Sequence, residues 1–367
     1  MLWRRMNKGK MSSTSEKESS RAPSQIQTSD AQQNSRLFQI PQELRDMIYT
    51  QLFIDTRLCH GILRDTDTPT VQIVPASNAL SIQRSCRRAR AEIGDSWLGQ
   101  ILFHFMDPGT MLTKLGTLPI PTLSKVRHVR IADIMYSCSD GKHYYYPVQY
   151  LKLLPGLRLD TLTIFGCHNT ELRDDSEFAY IRLDMLMECS QGWKELRFIS
   201  KTSALLGFVS RFYIAHQQPR CPQPADWIYL MNNRDGTASQ PSVSIYRSTL
   251  AGQSGTVGDE VTRVKYEQAL PRPGEEDEFT EEKCGGDLML PDEVTKELMV
   301  VVRRGRGVDY QEKLGSPFLD TIMDPRQENP GLTEASIIAK IFEYEPKGPF
   351  EIKQDIYKHA DDYEWLI

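Results

Sequence analysis

The sequence predicts an α/β fold, with α+β as the alternative, and three observations carry that prediction. Apolar residues recur at strand spacing in three places beyond residue 120, and helix-like stretches lie between them. The composition is globular: 40 % hydrophobic and 25 % charged residues over 367, enough for one large domain or two ordinary ones.

The three strand-like segments share one template. They read Val126-x-x-Val129-x-Ile131, Leu159-x-x-Leu162-x-Ile164-x-x-Cys167 and Trp193-x-x-Leu196-x-Phe198. The middle copy fits the leucine-rich-repeat strand pattern, a short strand with alternate side chains inward and then a turn. Trp227-x-x-Leu230 would be a fourth copy, but Asn232 at its third apolar position makes the match poor. Tyr150–Leu154 and Tyr180–Met187 read as helices between the strands, which implies a curved parallel sheet. The spacing exceeds that of a regular horseshoe, and a generic α/β sheet with coincident triplets is the competing reading.

Composition divides the chain further. Residues 1–36 are basic at the start, then Ser-, Gln- and Glu-rich, and are expected to be a disordered tail. A mitochondrial presequence is the alternative, because residues 1–15 contain Arg, Lys and Ser and no acidic residue. Residues 37–105 read as a helical module with an inserted hairpin at 54–76. Pro41 suits a first helical position, Glu43 suits the dipole, and Leu44, Met47, Ile48 and Leu52 share one helical face. Asp65, Asp67 and Pro69 mark a turn before Val71 and Ile73. Helix is expected again from Ser77 or Asn78, with Cys86 and Trp97 on its face, before a short buried run at 101–105.

Residues 106–270 are expected to form the α/β repeat-like recognition domain, with Gly-, Ser- and Thr-rich loops over 233–260. Residues 271–290 form an acidic loop, expected to be mobile. Residues 291–367 are expected to be a C-terminal helical segment packed on that domain, with helices at 291–303 and 333–343. The tail after Pro349 is apolar enough to dock on its own domain, partner binding being the sharper alternative.

Two motifs in the helical module resemble a known family. Phe38-x-x-Pro41-x-Glu43-Leu44-Arg45-x-Met47-Ile48-Tyr49 resembles the opening helix of the F-box and F-box-like proteins abundant in filamentous fungi. Ser85-Cys86-Arg87-Arg88-Ala89-Arg90-Ala91-Glu92 resembles their second signature, a Cys-Arg helix. The resemblance implies a Skp-type adaptor protein as partner, a cullin ubiquitin ligase beyond it, and an unknown protein target for the rest of the chain. By motif match it makes Ile40, Pro41, Leu44, Ile48, Leu52, Cys86 and Arg87 the adaptor-binding residues. Apolar residues four apart on a helix suit contact with a groove. The same helices read equally as the first layer of one continuous domain.

The sequence offers no catalytic residues, cofactor site or metal site. The seven histidines lack zincin spacing, and neither a nucleophile elbow nor a phosphate loop occurs. Asp65-Thr66-Asp67 fits a turn better than a metal–nucleotide site, and Cys167-His168 would point to opposite faces of a strand. Arg303-Arg304-Gly305-Arg306 reads as a helix C-terminal cap, with phosphate or an acidic partner as the alternative. Tyr144-Tyr145-Tyr146 reads as a strand beside a turn at Asp140-Gly141, or as a recognition edge. Seven dispersed cysteines show no disulfide framework, no apolar run is long enough to span a membrane, and a formal charge of −5 argues against nucleic acid. A cytoplasmic or nuclear adaptor is therefore the leading expectation, followed by a non-catalytic interaction protein with no ubiquitin link, then an unrecognised enzyme.

Overall fold

The computed structural model describes residues 35–63, 71–73, 78, 80–106, 108–132, 136–137, 144–145, 147–165, 175–207, 224–253, 255–258, 261, 264, 292, 295–318 and 324–343. The N-terminal tail, Asp65-Thr66-Asp67, Cys167-His168, the acidic segment and the apolar C-terminal tail lie outside these residues. The chain divides into two units, 1–47 and 48–367.

In the first unit, α1 (Arg36–Gln39) ends at Ile40, whose extended backbone breaks the helix before Pro41. α2 (Gln42–Ile54) then begins, and Pro41 supplies the carbonyl that accepts from Arg45 N–H at 3.1 Å. Arg45 is buried, donates to the Ile40 carbonyl, and holds its guanidinium 5.7 Å from the Phe38 ring centre.

The second unit is built on a mixed sheet. Its strands are β1 (Arg57–Leu63), β2 (Val71–Ile73), β3 (Leu102–Phe105), β4 (His128–Ala132), β7 (Leu159–Phe165), β8 (Trp193–Ser200), β9 (Ser242–Ala251) and β10 (Lys296–Arg303). They lie in the order β2-β1-β3-β4-β7-β8-β10-β9. A separate two-stranded ribbon pairs β5 (Tyr136–Ser137) with β6 (Tyr144–Tyr145). The hairpin expected at 54–76 is present as β1 and β2, antiparallel, with Gly61 opposite Ile73. Its first strand also pairs in parallel with β3, and β3 with β4. The segment 37–105 thus contributes strands to the same sheet as the segment that follows.

β1, β3, β4, β7 and β8 are parallel and stand in chain order, so their sequence of neighbours never reverses. A nucleotide crevice in an open α/β sheet forms where that order reverses, so this run offers no such seat. Between the strands come α5 (Pro108–Leu115), α6 (Ile120–Leu123), α7 (Pro147–Lys152) and α8 (Asp175–Cys189). α9 (Ala204–Gly207) and α10 (Ala225–Asp235) follow β8, and α11 (Pro325–Glu328) and α12 (Glu334–Glu343) close the described chain. α5, α7, α8 and α10 pack side by side in that order, with α12 against α5.

The shared apolar template lands on three adjacent strands in register. Val129 stands beside Leu162 and Leu162 beside Leu196; Ile131, Ile164 and Phe198 form the next row. All six are buried. At the start of β7, the Asp160 and Thr161 N–H groups both donate to the Arg127 carbonyl. These rows and the buried sides of the helices form the core.

Four expectations are corrected. Residues 296–303 form the fully sheeted strand β10, not a helix; its run Leu298–Val302 is buried on both faces, and such strands read as continuous apolar stretches. Residues 242–251 form β9, not a loop; Val243 and Ile245 alternate with Ser242 and Ser244, a strand signal masked by small polar residues. The helix expected from 77 to the buried run at 101–105 is broken into α3 (Ser81–Ser85), α4 (Arg87–Ile93) and a 3-10 turn at Ser96–Gly99. The poor fourth template is helical, with Trp227 inside α10.

Candidate functional site

Helix α2 carries the residues that the sequence places on a partner-facing surface. In the first unit, Leu44 is 49 % and Met47 66 % exposed. In the second, Ile48 is 45 % and Leu52 47 % exposed, whereas Tyr49 and Phe53 are buried. Positions four apart lie above one another on a helix, so Leu44, Ile48 and Leu52 form one line and Tyr49 and Phe53 another. The second line anchors the helix: the Tyr49 hydroxyl donates to Glu92 at 3.2 Å, and Arg88 pairs with the same carboxylate group at 3.0 Å. The first line leaves aliphatic surface in water, each half-exposed side chain forgoing part of the about 1.5–3 kcal/mol that full burial of such a group brings.

The other expected residues are placed differently. Ile40 is half-buried and Pro41 exposed at the break between α1 and α2. Cys86 does not ride on a helical face. Its backbone is extended, at φ −155° and ψ 157°, and its Sγ accepts from Ala89 N–H at 3.2 Å as the N-cap of α4. Arg87 is exposed on the first turn of that helix.

The basic cluster 303–306 is a strand end, not a helix cap. Arg303 Nε meets Glu195 at 2.8 Å. Arg304 is buried, paired with Asp235 at 2.7 Å, and lies 5.4 Å from the Trp193 ring centre. Asp235 also accepts from Gly305 N–H at 2.9 Å. A Cβ on Gly305 would stand 1.9 Å from Ser239 Oγ, so only glycine fits. Tyr144 and Tyr145 lie in β6, paired with β5; Tyr146 and Asp140-Gly141 lie outside the described residues.

Sequence reasoning passed over the sheet's second face. Four residues on from each template start, Arg130, Thr163 and Arg197 stand in register, in one row with His104 and Cys59 of the neighbouring strands. The row before it runs Arg57, Leu102, His128, Thr161, Glu195 and Arg303. Glu195 accepts from Arg197 Nε at 2.7 Å, which ties the two rows together. The signal was available in the polar residue between the last two apolar positions of each template: Arg130, Thr163 and Arg197.

Among the described residues, no three His, Cys, Asp or Glu side chains form a metal-ligand group. Burial pushes the Cys189 thiol up to about 12, which leaves it protonated and a poor nucleophile. Nor is any described helix long and apolar enough to cross a membrane. Comparison with family models, with curated proteins and with solved structures gives no match.

Proposed function

We propose that the chain is an F-box-like adaptor, which joins a protein target to a Skp-cullin-type ubiquitin ligase. The observation that carries this reading is the exposed line Leu44, Ile48 and Leu52 on a helix whose other side is anchored by Tyr49 and Phe53. Ile40, Pro41 and Met47 extend the apolar surface toward the start of the helix. In this reading a Skp-type adaptor takes the line into a hydrophobic groove, and Cys86 acts by capping the helix that presents Arg87.

The rest of the second unit serves as the target-recognition domain, of a leucine-rich-repeat-like kind. That finer description is supported by three template copies on adjacent parallel strands in chain order. A second reading, a non-catalytic interaction protein without a ubiquitin link, is favoured by one observation: β1 and β3, from the same segment as the two motifs, are strands of the common sheet.

A pull-down with purified Skp-type adaptor separates the two. Wild type is expected to bind, and a Leu44→Asp, Ile48→Asp double variant with unchanged circular dichroism is expected to lose binding. Folded wild type that fails to bind at micromolar concentration would exclude the ligase reading and leave the second.

A further inference from the structure

Residues 309–318 run as a strap past the loops that lead into β7 and β8. Three backbone bonds fasten it. Gly192 N–H donates to the Tyr310 carbonyl at 2.5 Å, Glu312 N–H to the Leu157 carbonyl at 3.0 Å, and Gly156 N–H to the Glu312 carbonyl at 2.8 Å. Side chains fasten its far end: the Lys152 ammonium donates to the Pro317 carbonyl at 2.6 Å, and Arg326 Nη2 to the Ser316 carbonyl at 2.5 Å.

Ser316 joins these contacts. Its hydroxyl donates to the Glu312 carboxylate, which is 1 % exposed and whose other oxygen has no hydrogen-bond partner. Yet the chain around it is open: Lys313, Leu314, Gly315 and Pro317 are exposed, and Ser316 itself is half-buried. Ser316-Pro317 is also the only Ser-Pro pair in the 367 residues; Thr68-Pro69, the only Thr-Pro pair, lies outside the described residues. Proline has no N–H and a fixed φ, so a kinase that tests the residue after its serine distinguishes Ser316 from every other serine in the chain.

We propose that Ser316 is a phosphorylation site for a proline-directed protein kinase, and that phosphate there unfastens the strap from the β7 and β8 loops. In the transfer, Ser316 Oγ loses its proton and bonds to the γ-phosphorus of ATP, whose bond to the bridging oxygen breaks and leaves ADP. The donor that Glu312 used is then gone, and a group of about −1.5 to −2 charge stands in its place. Burial already disfavours the charge on Glu312, and a phosphate against a carboxylate disrupts by like-charge repulsion. Ser316 therefore turns away from Glu312, the residue whose own N–H and carbonyl fasten the strap to Leu157 and Gly156. Arg326 Nη1, buried and without a partner, supplies a donor for the phosphate once it has turned. The hydroxyl reaches the kinase through local opening of the strap, and the added charge then opposes its closing. None of these residues lies on α2, so the inference stands apart from the adaptor reading.

The test uses the full chain, ATP and a purified proline-directed kinase first shown to phosphorylate a synthetic peptide of residues 310–322. Peptide mass mapping should find phosphate at Ser316, and Ser316→Ala should lose it. Amide hydrogen exchange is then compared between the phosphorylated and unmodified chains. The Gly156, Gly192 and Glu312 amides should exchange faster by about tenfold or more, while that of Ile131 in β4 should be unchanged. Phosphorylated Glu312→Gln should show a smaller acceleration, because a neutral side chain does not repel the phosphate. Should Glu312→Gln fail to fold, the three amides of the phosphorylated wild-type chain decide alone. No phosphate at Ser316 in the full chain, unaccelerated amides in the phosphorylated chain, or equal acceleration in folded Glu312→Gln would overturn the proposal.

Discussion

Asp235, at the C-terminal end of α10, is enclosed by Arg304 Nη2 at 2.7 Å and Gly305 N–H at 2.9 Å, with Arg234 Nε 3.9 Å away. Removing one partner of a buried pair leaves the other charge uncompensated. Asp235→Ala is therefore expected to cost about 3–5 kcal/mol, read as a fall in the urea midpoint at unchanged slope. Glu312 makes the opposite case. Its buried carboxylate accepts from Ser316, yet its other oxygen has no partner, and burial raises its pKa above the usual 4.5. A carboxylate whose folded pKa is raised favours the folded state only while protonated, and its ionisation counts against folding as pH rises past 4.5. Glu312→Gln keeps the bond from Ser316 and removes that charge. Its Tm should exceed wild type at pH 7, with the gain fading below pH 4.5; a lower Tm at pH 7 would refute the assignment.

At the scale of the element, α2 and α4 show how a helix can be held while part of its surface stays available. Phe53 is fully buried, and Phe53→Ala should destabilise by about 3–5 kcal/mol, whereas Leu44→Asp and Ile48→Asp should leave the urea midpoint nearly unchanged. That contrast, measured on purified variants, distinguishes an interaction surface from a packing surface before any partner is added. α4 depends on its cap. Cys86→Ala loses the acceptor for Ala89 N–H and should cost about 0.5–2 kcal/mol, while Cys86→Ser should retain most of it. An equal loss in both variants would place the contribution of Cys86 in packing instead.

Across the whole molecule, the buried His104 and the half-buried His60 are expected to contribute to the response to acid. Burial lowers the pKa of His104 to about 3 and that of His60 to about 4, from an ordinary 6.5. The unfolded chain thus takes up protons between pH 6.5 and these values that the folded chain does not. Stability is expected to fall as pH drops through that window. His104→Gln should flatten the slope of urea midpoint against pH, and an unchanged slope would show that His104 does not control it.

The sequence by itself determined the periodic elements. Val126, Leu159 and Trp193 open strands or their approaches, Tyr150–Lys152 and Tyr180–Met187 are helical, and 334–343 is a helix, because each pattern reports a local period. It also placed Leu44, Ile48 and Leu52 on one line, since helical spacing is a property of the chain alone. The tertiary structure decided what period cannot express. The run Leu298–Val302 is a strand because it fills the gap between β8 and β9, where both faces are covered and no alternation is needed. Arg304 is a core residue because Asp235, far away in sequence, meets it. His104, Arg130, Thr163 and Arg197 became one row only when parallel pairing set the register of four separate strands. Register depends on which strands become neighbours, a long-range choice that no local window of sequence contains.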